Sequence, residues 1–221
     1  MDCIYLSAGL GARMKEKQPK QFLTLLGKPV FIYALEIMES LPEIERILLM
    51  YHPDYEALYR DYLERYNIAR VQLVPGGETR QQSVYNGLQK AETDRVLIHE
   101  AARPFITREL LLDLMACPGE VAVIPTIPIP FTVSSGTEYM DGILERKTLH
   151  NVQLPQVFDR AVLLAAHDQA RTEGFSANED GVLVFRAGQR VRFIQGTENN
   201  IKITTPLDMI IAEKMVRGTC Q

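Results

Sequence analysis

Several features that would narrow the field are missing from this 221-residue chain. Its three cysteines, Cys3, Cys117 and Cys220, are odd in number and widely spaced, which argues against both a disulfide framework and a cysteine metal cluster. No apolar run reaches membrane-spanning length and the N-terminus carries no secretory pattern, so a reduced, cytoplasmic protein with no membrane partner is expected. There is no excess of basic charge. A net charge of −4 excludes the usual electrostatic footprint of a nucleic-acid binder, so any cation that meets a phosphate must act locally. Two nucleotide motifs are absent as well. The first small-residue loop has Gly9 and Gly11 but Met14 where a third glycine would stand, which disfavours a dinucleotide site. The pattern G-x-x-x-x-G-K-[ST] does not occur, which argues against a P-loop kinase. No internal repeat or low-complexity segment appears.

What remains suits one folded unit. Hydrophobic residues make up 46% of the chain and charged residues 24%, enough for a core in a single domain over 1–221 with at most a protruding arm. Apolar or apolar-rich stretches at 3–6, 47–51, 70–74, 95–99, 121–124 and 191–194 predict strands. The run 47–51, before His52-Pro53, is apolar throughout, as in a parallel strand buried on both faces. Helical spacing appears at 30–38, 54–66, 79–91, 159–174 and 207–217. Strands alternating with helices predict an α/β fold with a largely parallel sheet. The stripe Tyr55, Leu58, Tyr59, Tyr62, Leu63 and Tyr66 reads as packing surface rather than a base-stacking platform. Pro125, Pro128 and Pro130 argue against a continuous central strand at that point. Residues 131–135 and 143–146 predict a hairpin inside an arm at about 128–150, and a lone hairpin is marginal in water without a partner surface.

The chemistry-bearing residues gather at predicted strand ends. Ser7-Ala8-Gly9-Leu10-Gly11 follows the first strand. Two glycines two apart let the backbone bend and approach a ligand, because no Cβ intervenes. Backbone N–H groups in such a turn form an anion site, and Arg13 and Lys20 add two cations. The set suits a nucleoside triphosphate, though the glycines alone fit an ordinary strand-to-helix turn equally well. Gly76-Gly77 forms a second turn ahead of Arg80 and Ser83, on the same edge if the sheet is parallel. Thr79, with Gln82 three residues on, fits a capping box as well as a ligand role. His99-Glu100-Ala101-Ala102-Arg103-Pro104 ends another strand, and His99 reads as structural.

The longer strings carry a resemblance. A-G-x-G-x-R-M at 8–14, then P-K-Q-F-x-x-L-x-G-K-P at 19–29, resemble the sugar-phosphate and polyol-phosphate nucleotidyltransferases. The P-K-Q-F form is similar to the methylerythritol-phosphate cytidylyltransferase branch, as are G-G-x-x-R-x-x-S-V at 76–84 and N-I-K-I-T-x-P at 200–206. This resemblance implies a Rossmann-like three-layer nucleotidyltransferase fold and transfer of CMP from CTP to a polyol phosphate, with pyrophosphate released, in isoprenoid precursor synthesis. It implies catalytic roles for Arg13, Lys20 and Lys202. CTP would be held by Ser7, Ala8, Gly9, Leu10, Gly11, Gly76, Gly77, Glu78, Arg80, Ser83 and Ala101. The implied cofactor is Mg²⁺ or another divalent cation at Glu100, where the family usually has aspartate. The extra methylene allows ligation if the backbone adjusts; otherwise the metal depends on phosphates and water. Thr132, Asn178, Asp180 and Arg103 are the implied acceptor-binding residues. A homodimer joined through the hairpin arm is also implied.

The acceptor side departs from the pattern. Where the family shows a [KR]-D-T-[IM]-K-like run, this chain has Ile129-Pro130-Phe131-Thr132-Val133, and Leu154 and Asn178 replace threonines. Either the same polyol is held by different groups, or the acceptor is ribitol 5-phosphate or another sugar or polyol phosphate. Ser83-Val84-Tyr85-x-Gly87-Leu88 resembles the methylerythritol branch more. A reading from another class is a CTP-binding paralogue without turnover, which the retention of Arg13, Lys20 and Lys202 opposes.

Overall fold

The computed structural model describes residues 1–9 and 19–219, with the side chains of Lys20 and Thr219 outside that description. Strand β1 (Asp2–Leu6) lies at the centre and pairs in parallel with β4 (Arg46–Tyr51) and β6 (Arg95–Glu100). Beyond β4, β5 (Val71–Pro75) closes one side. Beyond β6, β11 (Gln156–Asp159) runs antiparallel and leads to β7 (Ala122–Pro128), which also pairs with β10 (His150–Val152) and β12 (Arg192–Gln195). The sheet is therefore mostly parallel, as expected, with β10 and β11 reversed.

The strands read as continuous apolar runs because both faces are covered. Cys3, Tyr5, Ile47, Leu49 and Leu97 point into one cluster, with α1 (Val30–Glu39), α2 (Glu56–Arg65) and α4 (Arg108–Met115). Their neighbours Ile4, Leu48, Met50, Val96 and Ile98 point into the other, with α3 (Arg80–Lys90), α5 (Arg160–Thr172) and α6 (Asp180–Arg186). Alternate residues serving opposite faces is the two-residue period of a strand. Each aliphatic side chain so buried contributes about 1.5–3 kcal/mol. The close seat of α3 on β1 depends on Gly87, where a β-carbon would stand 2.6 Å from Ile4 Cγ2. A smaller cluster joins α7 (Pro206–Thr219) to Leu25 of the short strand β2 (Thr24–Leu25), which pairs with β3 (Lys28–Pro29), and to Val30 at the start of α1. Asp208 holds the start of α7, accepting Thr204 N–H at 2.8 Å and Thr205 N–H at 2.7 Å. Among the described residues no helix is long and apolar enough to cross a membrane.

Three details differ from the sequence expectation. The strand does not stop at Pro125: β7 continues through it to Pro128. Residues 122–123 pair with β11 and 126–128 with β10, so Pro125 falls between the two registers. Its carbonyl accepts Gln153 N–H at 2.9 Å, and the Gln153 carbonyl, opposite the N–H that proline lacks, accepts Gln156 Nε2 at 3.0 Å instead. The hairpin is shorter than expected, formed by β8 (Ser134–Gly136) and β9 (Met140–Ile143), with Phe131 75% and Ile143 80% exposed. Helices α4 and α6 were not expected, because eight and seven residues are too few to show a clear helical period.

Candidate active site

The C-terminal ends of β1, β4, β5 and β6 lie side by side, so the loops that follow them share one edge. The first loop is pinned from below. Ser7 N–H donates to the Met50 carbonyl at 2.9 Å, and Ser7 Oγ lies 2.7 Å from the Tyr59 hydroxyl. The Ser7 carbonyl accepts Gln21 Nε2 and the Tyr59 hydroxyl, each at 2.7 Å. Burial pushes the Tyr59 hydroxyl up to about 12, so it stays a neutral donor. The tyrosine stripe is packing surface: Phe22 sits 4.7 Å, centroid to centroid, from the Tyr59 ring and contacts Tyr55 and Tyr62. Ala8 and the exposed Gly9 are thereby held at the edge. Leu10, Gly11 and Arg13 lie outside the described residues, and of Lys20 only the backbone is described.

The second loop closes against the first. Gly76 N–H donates to the Tyr51 carbonyl at 2.8 Å. Ser83 Oγ accepts Gly77 N–H and donates to the Thr79 carbonyl, each at 2.9 Å, so this buried hydroxyl shapes the turn. Thr79 Oγ1 accepts Gln82 N–H at 3.0 Å, the cap expected of it. The return half of a capping box is missing, because Gln82 Nε2 donates to Asn86 instead. Glu78 is exposed at the tip.

Beside these loops lies a cluster of charge. Glu100 ends β6 with its side chain 10% exposed. Its Oε1 lies 2.8 Å from Arg80 Nε and its Oε2 2.5 Å from Lys202 Nζ. Arg80 Nη1 lies 2.8 Å from Asp180 Oδ2, and Nη2 3.8 Å from Glu179 Oε2. Asp180 Oδ1 meets His167 Nε2 at 3.0 Å. Gln156 Nε2 donates to Glu179 at 3.0 Å. Burial alone would raise the Glu100 carboxyl, but the charges and hydrogen bonds of Arg80 and Lys202 hold it down to about 2. Burial likewise acts to raise Asp180, and Arg80 with His167 reverses it, leaving the carboxyl below its ordinary value. Glu179 is raised, chiefly by burial, with Glu100 and Asp180 adding to the effect. Arg80 has three carboxylates around it, which outweigh its own burial and raise its pKa.

Lys202 is placed by its neighbours. Buried Asn200 donates through Nδ2 to the Leu154 carbonyl at 2.6 Å, and its own carbonyl accepts Arg103 Nη1 at 2.8 Å. Ile203 N–H donates to the Ala102 carbonyl at 2.8 Å, which fastens the segment alongside the end of β6. Ala101 N–H donates to the Leu6 carbonyl at 2.9 Å, tying that end to the first loop. His99 is wholly buried with Nε2 on the Arg103 carbonyl at 3.0 Å, a structural setting.

Ser7, Ala8, Gly76, Gly77, Arg80, Ser83, Glu100, Ala101 and Lys202 thus share the edge. The acceptor residues do not converge in the same way. Thr132 and Asn178 are exposed, Arg103 is engaged with Asn200, and Asp180 is not presented to a ligand because both its oxygens are occupied below the surface. Sequence reading passed over His167, Glu179 and Gln156. Gln156 lies two residues after Leu154, a position already marked as departing from the family pattern, whereas a lone histidine in an amphipathic helix gave no signal. Among the described residues no three His, Cys, Asp or Glu side chains form a metal cage. A divalent cation here would fit only with phosphates and water as its main ligands and Glu100 as an adjacent carboxylate.

An open α/β sheet whose carboxyl edge gathers small-residue turns and fixed cations defines a protein class suited to phosphorylated ligands. Comparison with known proteins refines this. The family profile described as "IspD: 2-C-methyl-D-erythritol 4-phosphate cytidylyltransferase" matches residues 1–218, and the chain belongs to that family. The 2-C-methyl-D-erythritol 4-phosphate cytidylyltransferase of Geobacillus kaustophilus (strain HTA426) is 36% identical over 219 residues, covering 97% of this chain and 96% of that protein. That of Caldanaerobacter subterraneus subsp. tengcongensis is 33% identical over 224 residues, covering 98% and 99%. The crystal structure of 4-diphosphocytidyl-2C-methyl-D-erythritol synthase from Anaerococcus prevotii DSM 20548 superposes with a TM-score of 0.87 at 29% identity, covering 98% of this chain and 95% of that one. That of the 2-C-methyl-D-erythritol 4-phosphate cytidylyltransferase from Thermus thermophilus gives 0.81 at 29% identity, with 97% and 98% covered.

Proposed function

We propose that this protein transfers CMP from CTP to 2-C-methyl-D-erythritol 4-phosphate, releasing pyrophosphate, a step in isoprenoid precursor synthesis. The observation that carries the reading is the placement of Lys202 beside Glu100 and Arg80, at the edge shared with the Ala8 and Gly76 loops. The acceptor's phosphate monoester is already anionic near neutral pH, so its oxygen needs no activating base. That oxygen bonds to the α-phosphorus of CTP as the bond from phosphorus to the pyrophosphate oxygen breaks. The obstacle is electrostatic, because two anions meet and charge grows on the leaving group.

The chain's own groups meet that obstacle by position and charge. The loop that follows Ser7 offers backbone N–H groups to the triphosphate, with Arg13 and Lys20 supplying its cations. Lys202 faces the α-phosphate and the incoming phosphate from the other side. Gly76, Gly77, Glu78, Arg80, Ser83 and Ala101 border the base and ribose. When bound, Mg²⁺ supplies a charge sink on the phosphate oxygens, with Glu100 as the neighbouring carboxylate. Thr132, Asn178 and Arg103 contact the acceptor, and Asp180 serves it indirectly through Arg80. The exposed apolar residues of the hairpin support an arm that clasps a second copy of the chain.

Pyrophosphate release from CTP with Mg²⁺ across a panel of polyol phosphates tests the reading. Release is expected to be fastest with 2-C-methyl-D-erythritol 4-phosphate. Faster release with ribitol 5-phosphate would reassign the acceptor, and CTP binding with no release from any acceptor would overturn the enzyme reading.

A further inference from the structure

We propose that His167 is a positioning residue for the transfer, acting on Lys202 through Asp180, Arg80 and Glu100; the inference rests on the function proposed above. Four contacts run in series. His167 Nε2 meets Asp180 Oδ1 at 3.0 Å, and Asp180 Oδ2 meets Arg80 Nη1 at 2.8 Å. Arg80 Nε meets Glu100 Oε1 at 2.8 Å, and Glu100 Oε2 meets Lys202 Nζ at 2.5 Å. The series joins α5, α6, α3, the end of β6 and the segment before α7. Only α3 with β6, and α5 with α6, are neighbours in the chain.

The His167 end of the line is held in a place that water scarcely reaches. The side chains of His167 and Asp180 are each 1% exposed. Charge-assisted hydrogen bonds are strong and directional there, and a lost partner is costly. The buried face of α5 is otherwise apolar, made of Leu163, Ala166 and Ala170. An apolar side chain would fill position 167 as well, so a buried imidazole needs a polar reason. Nδ1 has no hydrogen-bond partner, which leaves the bond from Nε2 to Asp180 as the ring's polar contact. Asp180 is an acceptor, so Nε2 carries the proton. With both carboxylate oxygens held, Asp180 cannot swivel, and it fixes the planar fork of Arg80. Arg80 then fixes one oxygen of Glu100 and leaves the other to anchor the flexible stem of Lys202. The reacting ammonium is thus placed before substrate arrives.

The test compares His167→Leu, which removes the donor, with His167→Gln, whose amide nitrogen can replace Nε2. His167→Leu is expected to lower kcat about tenfold with the KM for CTP within about twofold, because misplacement of a reacting cation affects the chemical step. His167→Gln is expected to recover most of that loss, and His167→Leu added to Lys202→Ala to cost nothing further. Wild-type kcat in the leucine variant, equal loss in both variants, or full additivity with Lys202→Ala would each overturn the proposal. If the leucine variant does not fold, His167→Asn, whose shorter amide cannot reach Asp180, takes its place with the same expectations. A crystal structure of the variant gives a readout without turnover: Arg80 and Lys202 are expected to move, and an unchanged cluster would overturn the proposal. Absence of turnover in the unaltered protein would instead count against the proposed function, with the crystallographic comparison still deciding the role of His167.

Discussion

Gly76 approaches Ala8 so closely that a β-carbon at position 76 would stand 2.5 Å from Ala8 Cβ, with Ser83 Oγ at 3.2 Å and the Tyr51 carbonyl at 3.3 Å. The two loops that border the proposed CTP site therefore touch through backbone and small side chains, with no room for a larger residue between them. Gly76→Ala is expected to push them apart, costing about 1–3 kcal/mol in overpacking and weakening CTP more than the acceptor. Calorimetric titration with CTP, beside a thermal melt, measures both. CTP affinity unchanged in a folded variant would exclude the contact as a determinant.

Lys202→Ala removes the cation that Glu100 anchors, and Lys20→Ala removes its counterpart on the first loop. Each is expected to lower turnover by about a hundredfold or more, the range for loss of one preorganised charge, with circular dichroism unchanged. Near-wild-type kinetics in either variant would remove that residue from the reaction.

Acid is expected to destabilise the protein over two successive pH ranges. Burial pushes His99 from 6.5 down to about 3. Arg80 and Lys202, against the effect of burial, hold Glu100 at about 2 rather than 4.5. In acid the unfolded chain binds these protons before the folded one does, so stability falls as pH falls. The His99 share begins to go below 6.5 and the Glu100 share between 4.5 and about 2. Glu179, raised by burial, offsets part of the loss. Melting temperatures measured from about pH 8 to about pH 3 should decline throughout the acid range. His99→Gln, which can keep a hydrogen bond to the Arg103 carbonyl, should flatten the decline above pH 4.5. The same slope in both proteins would exclude His99 as its source.

The arm exposes Met140 at 70% and Ile143 at 80% on its hairpin. Replacing both with aspartate is expected to convert a dimer to a monomer in sedimentation velocity without altering the far-ultraviolet spectrum. A wild-type protein that already sediments as a monomer would refute the clasp.

Much of the architecture was written locally. Residues 47–51 announced a doubly covered strand because every side chain there is apolar, and β4 is buried on both faces. Thr79 fitted a cap or a ligand role, and its hydroxyl takes the cap, bonding the next turn of its own helix. Pro125 misled because its cost depends on whether the carbonyl opposite finds another donor, and the Gln156 side chain, distant in sequence from Pro125, supplies one to Gln153. The hairpin was expected at 131–135 and 143–146, but its register is set by the turn, and the strands form at 134–136 and 140–143.

The charged cluster belongs to the other kind of information. By itself the sequence determined which strand faces are apolar, where the chain turns, and which motifs it shares with its family, because periodicity, turn chemistry and motif spacing are read over a few neighbouring residues. Only the tertiary structure decided that Arg80 meets Asp180, 100 residues away, and that Lys202 meets Glu100. Those pairings follow from the order of β5, β4, β1 and β6 across the sheet and from the seat of α3 on β1. An ion pair is fixed by proximity in space, and no local pattern in a chain records which of its charges will be brought together.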